Sequence, residues 1–131
     1  MTNDFNRDNF EGQEIPYDLR QKYAEIIGIS LTKIFMAREE RDYQKWFSLL
    51  NDLHTEIHQK LKPDEREEYN TKLNECVGEL NKNSNAFKGL DKDAEKNYKV
   101  YLALKKLELW LRDMMEKHNM FGSKRDVEGL F

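Results

Sequence analysis

Residues 92–118 read KDAEKNYKVYLALKKLELWLRDMMEKH, the longest unbroken helical pattern in the chain. It has no proline or glycine and is rich in Leu, Lys and Glu, all strong helix formers. Val100, Ala103, Leu104, Leu107, Trp110, Leu111, Met114 and Met115 recur three and four positions apart. At 100° per residue that spacing gathers them on one broad face, so the segment is expected to be a core helix that the rest of the chain covers. Tyr98, Leu102 and Leu109 form a second apolar set, roughly 180° from Leu107 on the same wheel. A helix in a simple bundle is polar there. Either the N-terminal arm or the first helix covers this second set, or it meets a partner or a second copy of the chain.

Working outward, residues 1–15 carry Phe5, Phe10 and Ile15 as isolated apolar points in a polar, acidic segment, which predicts an arm and no regular element. Pro16 suits the first turn of a helix running to about Arg38. Its stripe is Leu19, Tyr23, Ile26, Ile27, Leu31, Ile34 and Phe35, with Ile29 and Met36 outside it. From Ile26 to Met36 that helix is apolar on nearly all sides, which predicts either a core position or an interface. A polar corner, AREERD, leads to a second helix over about 41–62, with Tyr43, Trp46, Phe47, Leu50, Leu53, Ile57 and Leu61 on one side. Pro63 ends it and opens a third helix, whose acidic first turn suits the positive end of the helix dipole. Tyr69, Leu73, Cys76, Val77 and Leu80 make its stripe. The segment NKNSNAFKGLD is expected to be a loop pinned by Phe87 and Leu90, with Asp91 or Asp93 capping the fourth helix. Gly122 is expected to stop that helix, leaving a tail over 122–131.

Four helices and no strand pattern predict a single-domain, all-α, antiparallel four-helix bundle over residues 16–121. The 131 residues have a net charge of −3, an apolar fraction of 38% and a charged fraction of 36%. No apolar run approaches the roughly 18 residues that a transmembrane helix needs. The acidic N-terminal stretch differs from an export signal, and one cysteine excludes an internal disulfide, so the expected setting is the cytoplasm of its own cell or of a host. Residues 1–65 hold 9 basic against 13 acidic side chains, and residues 66–131 hold 13 against 12. Neither half attracts nucleic acid or anionic lipid as a whole.

Chemistry-bearing patterns are few. His54 and His58 stand at i and i+4, a metal-compatible spacing. HTEIH lacks the HExxH order, however, and no third ligand is placed, so they read as the border of the stripe through Leu53 and Ile57. Cys76 lies on an apolar stripe and reads as a small core residue. There is no glycine-rich phosphate loop and no serine elbow, and we assign no cofactor, metal or catalytic residue. Lys96, Lys99, Lys105, Lys106, Arg112 and Lys117 alternate with Glu95, Glu108, Asp113 and Glu116, which predicts a solvated, salt-bridged outer face.

Arg112 and His118, in RDMMEKH, are an arginine and a histidine six positions on. This segment resembles the R-x(4–6)-H signature of HEPN ribonuclease domains, helical bundles that act as dimers. The resemblance spans seven residues. It implies that Arg112 binds or polarises a scissile phosphate and that His118 moves a proton. Without it, His118 is a histidine favoured at a helix C-terminus.

The expectation is a non-enzymatic accessory or regulatory factor, of the kind viruses and mobile elements encode, acting on a protein partner or on itself. Tyr98, Leu102, Leu109 and the terminal Leu130 and Phe131 are its candidate contact residues. A ribonuclease or nucleic-acid-binding bundle centred on Arg112 and His118 is the alternative.

Overall fold

A computed structural model describes residues 17–120, with side chains described from residue 25 onward. The expected arm over 1–15, the tail over 122–131, and Leu130 and Phe131 lie outside the described residues, as do the side chains of Leu19 and Tyr23. Among the described residues the fold is all-α: α1 (Tyr17–Glu39), α2 (Tyr43–Ile57), a 3-10 turn (His58–Lys60), α3 (Pro63–Lys82), a one-turn α4 (Ser84–Phe87) and α5 (Ala94–Lys117). No described helix is long and apolar enough to cross a membrane.

Local chemistry sets most boundaries. Arg41 takes a left-handed φ of 58° to turn the corner after α1, and the Asp42 carboxylate then accepts the Lys45 N–H at 3.1 Å to cap α2. Pro63 occupies the first turn of α3, where its missing N–H costs nothing. Asp93 caps α5 by accepting the Glu95 and Lys96 N–H groups at 2.9 and 3.3 Å. The end of α5 differs from expectation. Asn119, with φ 53°, ends the helix at Lys117, ahead of Gly122, and Met120 folds back fully buried.

Helix α5 is the centre. It packs on α2 and on α3, α4 also touches it, and α1 packs mainly on α2. The stripe that defined α5 in sequence is buried, with Met114 partly so. Tyr43, Trp46, Leu50, Leu53, Ile57 and Leu61 of the second stripe are buried, as are Tyr69, Cys76 and Leu80 of the third. Trp46 is wholly enclosed, its ring edge-on to Tyr101 at 5.3 Å.

Two apolar positions differ from their expected burial. Phe35 is 48% exposed because α1 packs mainly on α2, with Ile27, Leu31, Ile34 and Ala37 forming its buried line. Leu90 is 72% exposed, whereas Phe87 packs edge-on against Phe47 at 6.0 Å and, with the fully buried Ala86, pins the α3–α5 connection. Part of that connection, expected to be loop, is the helical turn α4.

Candidate interaction surface and two buried carboxylates

Two glutamates, Glu65 and Glu108, are buried. Glu108 was expected on the solvated outer face of α5. It is 1% exposed. Its Oε1 accepts the Trp46 indole N–H at 3.0 Å, and its Oε2 accepts the Arg38 guanidinium at 2.7 Å. Lys105 and Arg112 approach the same Oε2 at 3.7 and 3.9 Å. One carboxylate therefore joins α1, α2 and α5, with a hydrogen-bond donor on each oxygen and two further cations near Oε2. Partial burial holds the Lys105 ammonium below the ordinary lysine value; Glu108 opposes that shift, while Arg38 and Arg112 add to it.

Glu65 does the same between α3 and α5. Its Oε1 accepts the Lys62 N–H, which helps to start α3, and the His118 Nε2–H, both at 2.8 Å. Its Oε2 accepts the Lys117 ammonium at 2.6 Å. Burial works to raise this carboxyl, but those three donors outweigh it and hold it down at about 2, against an ordinary 4.5. The beginning of α3 is thereby tied to the end of α5.

Both glutamates carried a readable signal. Glu108 stands four after Leu104 and three before Leu111, and Glu65 stands four before Tyr69, so each lies on a buried stripe. An acid on an apolar stripe implies a charge paired from another element. Which element supplies the partner is not written locally.

The candidate ribonuclease pair is divided between these two centres: Arg112 faces Glu108, and His118 is held by Glu65. His54 and His58 do meet, Nε2 to Nδ1 at 3.3 Å, but the His54 ring stacks on Tyr69 with centroids 3.6 Å apart. Burial, and then the nearby His58, pull His54 down to about 4. Among the described residues no group of three or more His, Cys, Asp or Glu side chains could hold a metal ion. Burial pushes the Cys76 thiol up to about 12, which keeps it protonated and unreactive near neutral pH.

The second apolar set of α5 faces outward. Tyr98 is 59% exposed, Leu102 37% and Leu109 43%. Leu102 and Leu109 line a groove of about 880 Å³ between α3 and α5. Comparison with protein-family models, with curated proteins and with solved structures yields no match.

Proposed function

We propose that this chain is a non-enzymatic helical protein that acts by binding another protein or a second copy of itself. In this reading α1, α2, α3 and α5 serve as an antiparallel four-helix bundle and α4 as a connector. The observation that carries it is the outward exposure of Tyr98, Leu102 and Leu109 on the central helix. Exposed leucine surface is unfavourable by about 25 cal/mol per Å² relative to burial, and a covering partner recovers that free energy. The strongest ionisable groups support the same reading, because Glu65 and Glu108 are committed to cross-helix links. An accessory or regulatory factor working in a reducing, cytoplasmic setting, encoded by a virus or mobile element, suits an apolar contact face beside one buried free thiol.

The test is the paired substitution Leu102→Glu and Leu109→Glu. Native mass spectrometry and affinity capture from source-cell extract are read on wild type and variant, with circular dichroism confirming the fold. Loss of the assembly in a folded variant is expected. An unchanged mass together with unchanged capture refutes the contact reading.

A further inference from the structure

The exposed line of α5 reads the same in both directions, except that its charges change sign. From Glu95 to Lys117 the exposed residues three and four apart lie within about 40° of one line, at 100° per residue. Lys106 is its centre. Leu102 and Leu109 stand four positions before it and three after. Lys99 and Asp113 stand seven positions either side, and Glu95 and Lys117 eleven. Beside the line, Lys96 and Glu116 stand ten either side. Leucine therefore mirrors leucine, and at each charged distance a cation mirrors a carboxylate. Lys117 is bonded to Glu65, but its side chain stays 53% exposed.

A two-fold contact between identical chains demands that order. It sets residue i of one copy against residue j of the other, and j against i, so opposite charges must lie at equal distances from the axis. A partner of different sequence imposes no such symmetry on this surface. The α3 wall of the groove adds no net charge, with Lys72 and Lys82 against Glu75 and Glu79. A strongly acidic or basic partner therefore finds no net field here, and the carboxylates on both walls oppose a phosphate chain.

We infer that the α3–α5 groove takes the α5 helix of a second copy of this chain, antiparallel to its own, about a two-fold axis at Lys106. Leu102 then packs on Leu109 of the second copy, Lys99 meets its Asp113, and Glu95 meets its Lys117, each contact occurring twice. A parallel pairing sets Lys99 on Lys99 and Asp113 on Asp113, and such like-charge meetings are unfavourable. In the antiparallel pairing Lys106 meets its own copy, with Glu75 lining the same groove as a counter-charge. From Glu95 to Lys117 the line runs about 33 Å at 1.5 Å per residue. Two helices spaced about 9 Å apart give a footprint of about 600 Å² on each copy. The total, about 1,200 Å², is at the lower end for stable interfaces, so the dimer is a reversible one.

The inference rests on the contact reading above, and sedimentation equilibrium of the full chain up to about 500 µM, with circular dichroism on every variant, tests the two apart. Wild type is expected to dimerise with a Kd of about 10–100 µM, weakening about three- to tenfold from low to high salt. Lys99→Glu and Asp113→Lys are each expected to weaken self-association at least about tenfold, because the two-fold axis repeats each repulsion. Mixing these two variants is expected to restore a dimer of near wild-type strength, since each supplies the charge that the other has lost. The double variant is expected to recover it alone. A wild type still monomeric at about 500 µM, single variants that associate as wild type does, or a mixture no stronger than its components each overturns the inference. If wild type stays monomeric while Leu102→Glu with Leu109→Glu abolishes capture of another protein, the occupant is wrong and the contact reading stands.

Discussion

Glu108→Ala is the perturbation that probes the fold most directly. It removes the acceptor of the buried Trp46 indole N–H and the 2.7 Å partner of Arg38 in one step. An unsatisfied buried donor costs about 1–3 kcal/mol, and a lost charge-assisted hydrogen bond about 1.5–3 kcal/mol. The two overlap, and Arg38, with its side chain 14% exposed, regains some water. Breaking a buried pair by deleting one member costs about 3–5 kcal/mol, so the lower end, about 3 kcal/mol, is expected here. For 131 residues the unfolding entropy near Tm is about 0.28 kcal/mol/K, which makes the shift roughly 10 °C downward. Arg38→Ala is expected to cost less, about 1–2 kcal/mol, because Glu108 keeps Trp46 and both Lys105 and Arg112 beside it. The assay is thermal and urea unfolding of both variants beside Glu116→Ala, an exposed control. A Glu108→Ala shift no larger than that of Glu116→Ala refutes the assignment of Glu108 as the point joining α1, α2 and α5.

Acid should lower the protein's stability over two successive pH ranges. His54, depressed from 6.5 to about 4, is neutral in the fold, so its contribution is complete above pH 6.5 and is lost as pH falls towards 4. Glu65, depressed from 4.5 to about 2, contributes up to about 3 kcal/mol above pH 4.5 and loses it as pH falls towards 2. Urea midpoints across this range should flatten between pH 6.5 and 4 in His54→Gln, and between 4.5 and 2 in Glu65→Gln; profiles parallel to wild type contradict the assignments. Cys76 should react with a thiol reagent at pH 8 about 10³-fold more slowly in the native chain than in urea, judging by thiolate fraction alone. Comparable rates would place it at the surface. Asp93→Ala should lower stability by about 1 kcal/mol through loss of the α5 cap, and a neutral effect in urea unfolding counts against that cap.

Much of the fold was legible because its information is local. The 3.6-residue period marks which side of α2, α3 and α5 is buried, and Asp42, Pro63 and Asp93 mark where helices begin, since a cap needs only its own first turn. The outward set Tyr98, Leu102 and Leu109 was equally visible, being a matter of angle on one helix. Phe35 and Leu90 were misjudged for a single reason. Apolar character shows that a side chain gains from burial, but only the placement of neighbouring helices decides whether burial is available, and α1 meets little besides α2. The groove itself was invisible for a related reason, since it exists only where Lys72 and Lys82 of α3 come beside Lys99 and Lys106 of α5.

By itself, then, the sequence determined an all-α chain, the buried side of its central helices and most of their starts, because each follows from residues within a turn or two of one another. Tertiary structure alone decided how the buried charges are met. Arg38 reaches Glu108 across 70 positions, Trp46 across 62, and Lys117 reaches Glu65 across 52. A carboxylate on an apolar stripe demands a partner, but periodicity carries no record of what stands opposite, and only the packing of α1, α2 and α3 around α5 supplies it.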